Sequence, residues 1–155
     1  MLDISLLVIG TVKDKAYQSL AAEYDKRLQP YARLKIVELA AASFSSKTQA
    51  AAREQESRRL QDFLSRKTKD RRTEVFLLAE RGQTFSSPDF ALWLDSHQPL
   101  ILVIGGALGF SPELYARYPQ ISLSPLTFPH ELARVITLEQ IYRAAAILHK
   151  KSYHY

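Results

Sequence analysis

The chain has 155 residues, no cysteine, seven prolines and five glycines, and its 21 Lys plus Arg against 16 Asp plus Glu leave a formal charge of +5. That length suits a single domain, 1–155, and argues against a multidomain enzyme, while 46% hydrophobic and 24% charged residues are the composition of a globular core. Without cysteine there is no disulfide framework, thiolate zinc site, iron–sulfur cluster or cysteine nucleophile. Residues 1–10 have neither the basic start of a leader nor the length of a membrane span, so a cytoplasmic protein with no membrane contact is the expectation.

Leu2–Ile9 is a short apolar run closed by Gly10 and reads as a buried strand. Tyr17, Leu20, Ala21, Tyr24 and Leu28 then recur at helical spacing until Pro30 stops the helix. Residues 33–39 partly alternate and read as a second strand. Residues 47–66 read as a second helix, with Leu60, Phe63 and Leu64 as its apolar face. Between 47 and 72, nine cations meet four anions, an excess equal to that of the whole chain, and five of the cations fall in 66–72. Two readings stay open for this cluster. It is a solvated helix end whose cations complement the macrodipole, or a contact for nucleic-acid phosphates.

Residues 74–79 form the third expected strand, with 80–85 a loop around Gly82. Ser87-Pro88-Asp89 has the look of a helix start, Ser87 as N-cap and Pro88 as first helical residue, ahead of Phe90, Leu92, Trp93 and Leu94. Leu100–Ile104 is the most apolar strand and runs straight into Gly105-Gly106-Ala107-Leu108-Gly109. Ser111-Pro112-Glu113 is a second cap signature. Residues 121–123 read as a short last strand, followed by Ser124-Pro125-Leu126-Thr127-Phe128-Pro129. The final helix, from about His130 to Leu148, is apolar on more than one face, which calls for burial against a partner chain.

Strands alternating with helices, each strand nearly continuously apolar, indicate an α/β fold with a mostly parallel sheet flanked by helices on both faces. Ligands of such sheets bind beyond the carboxyl ends of the strands. Three segments belong there: the loop after Ala79, residues 105–111, and residues 124–129. The glycines would let backbone approach a ligand closely. Their spacing is neither the dinucleotide fingerprint nor a P-loop, which argues against nicotinamide and nucleoside-triphosphate chemistry. Two prolines with two large apolar residues in 124–129 fit a rigid wall for an adenine-sized ring. The tail from His149 to Tyr155 holds two His, two Lys and two Tyr; it is a frayed end, or a surface for base stacking and phosphate pairing. The four histidines have no metal-binding spacing, so no metal is expected.

Taken together, Leu102-Val103-Ile104-Gly105-Gly106, Gly109-Phe110-Ser111, the run from Leu123 to His130, Arg134-Val135, Glu139-Gln140-Ile141-Tyr142-Arg143-Ala144, Tyr153-His154 and the opening Leu7-Val8-Ile9-Gly10-Thr11 resemble the ribosomal RNA large subunit methyltransferase H family of the SPOUT superfamily. The resemblance runs along essentially the whole chain. It implies an S-adenosyl-L-methionine-dependent enzyme that methylates N3 of a pseudouridine in 23S rRNA of the assembled ribosome. It also implies an α/β knot, with a C-terminal trefoil, and a homodimer. By position it assigns Leu78, Ala79, Gly106, Ser124, Pro125, Leu126, Thr127, Phe128 and Pro129 to the cofactor, and Tyr142, Lys150 and Lys151 to RNA. His154, Tyr153 and Arg143 become the catalytic group: His154 as base toward N3–H, Tyr153 against the nucleobase, Arg143 beside the developing imide anion. Two departures stand out. Leu108 occupies a loop position often acidic in the family, and Tyr155 ends the chain where many members end in Tyr-His-Arg. Two alternatives remain at this point: a non-catalytic ribosome-binding or assembly factor, and a SPOUT methyltransferase acting on another nucleotide.

Overall fold

The computed structural model describes residues 1–69 and 72–154, so Asp70 and Arg71 of the basic cluster and the terminal Tyr155 lie outside the described residues. Five strands, β1 (Leu2–Ile9), β2 (Ala32–Leu39), β3 (Glu74–Gln83), β4 (Leu100–Ile104) and β5 (Gln120–Ile121), form one sheet in the order β2-β1-β4-β3-β5. Every pairing is parallel. Between and after them run α1 (Lys15–Leu28), α2 (Gln49–Lys67), α3 (Ser87–Ser96), α4 (Pro112–Arg117) and α5 (His130–Leu148).

The two-residue period of a strand divides the core in two. Ile4, Leu6 and Val8 of β1 with Leu100, Leu102 and Ile104 of β4 face one side, where Leu28 of α1, Phe90 and Leu94 of α3, and Leu138 and Ile141 of α5 cover them. Leu7, Ile9, Ile101 and Val103 face the other, under Leu60 and Leu64 of α2 and Leu114 of α4. The register Leu6↔Leu102↔Phe76 keeps these rows aligned across three strands. Each such side chain contributes about 1.5–3 kcal/mol by leaving water. This double coverage is why β1 and β4 carry apolar runs rather than an alternating pattern.

Three expectations are corrected. The third strand does not end at Ala79; it continues through Gly82 to Gln83, so the segment after Ala79 is strand rather than loop. Gly82 is not a turn residue. A Cβ there would stand 2.5 Å from the backbone carbonyl carbon of Ile121, and the missing side chain is what lets β5 lie against β3. β5 itself is Gln120–Ile121 rather than 121–123, because Ser122 turns the chain away: its hydroxyl reaches the carbonyls of Glu80 (3.1 Å) and Ser124 (2.8 Å). The α3 cap is Ser86, not Ser87. Ser86 Oγ accepts the Asp89 N–H at 3.2 Å and donates to the Asp89 carboxylate at 2.6 Å, a reciprocal cap that Ser87 is one residue too late to make.

α5 lies on the sheet between α1 and α3, which help bury Leu138, Ile141, Ala144 and Ala145. Leu132 and Ile136 are only half-buried and join neither core cluster, so one apolar face stays available to a partner chain.

Candidate functional site

At the carboxyl ends of β3 and β4 the chain encloses a cavity of about 540 Å³. Leu78, Ala79 and Glu80 line it from β3, and Ile104, Gly105, Gly106 and Ala107 from the end of β4. Ser124, Leu126, Thr127, Phe128 and Pro129 form the facing wall, continued by His130 and Ala133 of the first turn of α5. Of the nine residues expected at a cofactor, eight line this one cavity; Pro125 does not.

Local chemistry fixes the wall. The Leu126 N–H donates to Ser124 Oγ at 3.1 Å, a turn of the kind Ser favours, and Thr127 Oγ1 donates to the Glu80 carboxylate at 2.9 Å. The wall is thereby tied to β3 at two places, through Ser122 and through Thr127. On the opposite side the glycine loop is held by α2, where Ser57 Oγ accepts the Ser111 N–H at 3.0 Å. Only Gly109 of that loop turns through positive φ (69°). Gly106 is needed for space instead: a Cβ there would come within 2.8 Å of Glu56 Oε2 and 3.0 Å of Ile9 Cγ2.

The cavity is largely apolar, and at its mouth Leu126 is 72% exposed and Tyr115 37% exposed. Glu80, Tyr115 and His130 line the cavity without having been assigned from the sequence. Tyr115 arrives from α4, its ring edge-on to Phe110 at 5.6 Å. No local motif announces it. His130 was legible only as the residue closing the proline-rich segment.

The residues expected in catalysis gather elsewhere. On α5, Glu139 Oε1 accepts from Arg143 Nε (3.0 Å) and Nη2 (2.5 Å), and also from the Tyr153 hydroxyl at 3.1 Å. The guanidinium lies 4.9 Å from the Tyr153 ring centre, and its Nη1 is 3.5 Å from His154 Nδ1. Tyr142 meets Tyr153 edge-on at 4.8 Å. The hydrogen bond to Glu139 raises the Arg143 pKa above its ordinary value. Burial, then the Tyr24 hydroxyl and the Glu139 charge, pushes the Tyr153 phenol well above the usual range, so it holds its proton. Lys150 and Lys151 follow, both exposed; their N–H groups close α5 by donating to the carbonyls of Ile147 and Ala146.

Within one chain the two groups are apart. Ala133 lines the cavity and Arg143 lies ten residues on, about 15 Å along the helix axis. α2 behaves likewise: Glu56 sits behind the glycine loop, whereas Arg66 and Lys67 are about 15 Å further along, in its last turn. There Lys67 Nζ lies 5.9 Å from the Phe63 ring centre, and Thr68 caps the helix through Leu64 O. These cations complement the helix end, as one of the two readings required.

Among the described residues, no group of three or more His, Cys, Asp or Glu is placed to hold a metal ion, and no helix is long and apolar enough to cross a membrane. A family described as predicted SPOUT methyltransferase matches residues 2–154. Curated relatives named ribosomal RNA large subunit methyltransferase H are 38% identical in Gloeobacter violaceus, with 98% of each chain covered. Those of Desulforamulus reducens and Bacillus cereus are each 36% identical, with 99% of each chain covered.

Proposed function

Because the chain belongs to the SPOUT methyltransferase family, we propose that it is an S-adenosylmethionine-dependent ribosomal RNA methyltransferase acting on N3 of a pseudouridine in 23S rRNA. The observation that carries this reading is the cavity built from β3 where it passes the end of β4, from the glycine loop and from residues 124–129. Its volume of about 540 Å³ and its apolar lining with a few polar groups are those of a small-molecule site. The residues present fit an adenosine-bearing methyl donor. Leu126 and Phe128 offer apolar faces to a ring, the backbone of 105–107 approaches without side chains at 105 and 106, and Glu80 and Thr127 supply polar contacts. Bound there, the donor supplies an electrophilic methyl on a sulfonium centre.

The chain's own part is to bind, orient and move a proton. The imide N3–H must be lost for N3 to attack, and His154 is the group proposed to take that proton, since a neutral imidazole nitrogen can accept one. Tyr153, kept protonated, is a hydrogen-bond donor or stacking surface toward the nucleobase rather than a base. Arg143, oriented by Glu139, keeps Nη1 free of that carboxylate and turned toward His154, where it can meet developing negative charge. Tyr142, Lys150, Lys151 and the basic end of α2 are proposed to meet rRNA.

The separation of about 15 Å between cavity and tail supports a homodimer in which one protomer's tail serves the partner's cavity. The C-terminal knot, the assembled ribosome as substrate and a cytoplasmic location belong to the same proposal. Mass spectrometry of 23S rRNA from a deletion strain, with and without the restored gene, tests it. Loss and return of one methylated pseudouridine is expected, and an unchanged pattern refutes the assignment. Calorimetry with S-adenosylmethionine separates the enzyme from a non-catalytic assembly factor, which would leave the cavity without affinity for it.

A further inference from the structure

Glu56 lies on α2 with only 3% of its surface exposed. Its Oε1 accepts the Ala42 N–H at 3.0 Å. Its Oε2 is fully buried and has no hydrogen-bond partner. Among the described residues no ion pair reaches either oxygen. A carboxyl oxygen in that position is costly to keep, and a fold that retains one calls for an explanation.

Its direction supplies one. Oε2 points at Gly106, 2.8 Å from where a Cβ would stand, and Gly106 lines the cavity. No side chain intervenes between the carboxyl group and the cavity at that residue. The neighbouring Ser57 ties down Ser111 at the far end of the same loop, so α2 sets both the loop's position and the carboxyl group behind it. The carboxylate that lines the cavity, Glu80, is exposed and already accepts from Thr127. Leu108 of the glycine loop brings no charge.

We propose that Glu56 is a specificity-determining residue of this cavity: its unpartnered oxygen, one backbone thickness behind Gly106, favours a ligand that carries positive charge at the glycine loop over the same ligand without it. The inference rests on the methyl-donor reading and deepens it. The donor's sulfonium is cationic and the spent thioether is neutral, so Glu56 holds the donor and weakens retention of the product. For separations of about 8–12 Å and an effective dielectric near 20, one unit charge changes relative affinity by roughly ten- to thirtyfold.

The test is calorimetry on the full chain and its Glu56→Gln variant with three probes. S-adenosylmethionine is cationic at sulfur, sinefungin carries a cationic amine in the same place, and S-adenosylhomocysteine is neutral there. Gln keeps the acceptor for Ala42 and removes the charge. In E56Q both cationic probes should weaken about ten- to thirtyfold relative to the neutral one, whose own affinity moves less than about threefold. Retained binding of the neutral probe reports an intact cavity. Glu56→Asp, which keeps the charge but withdraws it by one methylene, should give an intermediate ratio. Equal weakening of all three probes, or no change in any, overturns the proposal and leaves Glu56 a loop support. Wild-type protein that binds none of the three overturns the methyl-donor reading, and this inference with it.

Discussion

Replacing Gly82 by alanine tests how the edge of the sheet holds the cavity wall. The new Cβ would lie 2.5–2.7 Å from three backbone atoms of Gln120 and Ile121, where ordinary contact needs about 3.4 Å or more, so β5 must move by roughly 1 Å. That movement strains or breaks the Ser122 N–H to Gln83 carbonyl bond (2.8 Å) and the Ser122 hydroxyl contact with Glu80. Each hydrogen bond lost costs about 1 kcal/mol. Partial uncovering of Ile121, now 2% exposed, adds up to about 2 kcal/mol. A destabilisation of about 2–4 kcal/mol follows, and in a domain of this size each kcal/mol lowers Tm by about 2–4 °C. Thermal unfolding followed by circular dichroism should therefore show a fall of about 5–15 °C. Because β5 leads directly into 122–129, calorimetry should also show a weaker S-adenosylmethionine complex. A G82A protein with wild-type Tm and affinity would refute the argument that this glycine seats the wall.

Arg134 is nearly buried and bonds both Glu38 (2.5 Å) and the Gly10 carbonyl (3.0 Å), so Arg134→Leu should cost about 2–4 kcal/mol in urea unfolding. Glu38→Gln, at a half-exposed position and still able to accept, should cost about 1 kcal/mol or less. The Tyr153 phenol is raised above the ordinary value near 10, so above about pH 10 the unfolded chain loses that proton while the folded chain keeps it. Stability should fall as pH rises beyond about 10, less steeply in Tyr153→Phe, and parallel curves for the two proteins would count against the raised phenol. His154→Ala should abolish most methylation while leaving S-adenosylmethionine affinity nearly intact; full activity removes His154 from the chemistry. The double variant Arg66→Gln, Lys67→Gln should lower the slope of log affinity for rRNA against log salt by about 1.4–1.8, and an unchanged slope places those cations outside the interface.

The boundaries of β1, β4 and α5 were legible because glycine or proline stands where an apolar run begins or ends: Gly10 after Ile9, Gly105 after Ile104, Pro129 before His130. Gly82 misled for the same reason. A glycine that makes room for a neighbouring strand looks in one dimension like one that makes a turn. The cavity segments could be anticipated because parallel strands send their carboxyl ends to one edge, and 105–109 and 124–129 follow such ends. Glu56 could not, since it reaches the glycine loop from α2, two strands earlier in the chain, and Tyr115, just past that loop, sits in a short helix with no motif that points to a site. The apolar surplus of α5 showed that it must be buried, but not how the cover divides: α1 and α3 pack over Leu138 and Ile141, while Leu132 and Ile136 stay half-buried outside both clusters.

α5 joins the cavity at its first turn to the aromatic and basic tail at its last, and it is one unbroken helix fixed on the sheet. It therefore acts as a ruler that sets both the spacing and the phase of the two ends. Each inserted residue would lengthen it by about 1.5 Å and turn everything beyond by about 100°. No whole number of residues restores both at once, so a single insertion between Ala133 and Glu139 would displace the Glu139–Arg143–Tyr153 cluster sideways even with every side chain retained. Substitutions can drift along such a helix while its length stays fixed.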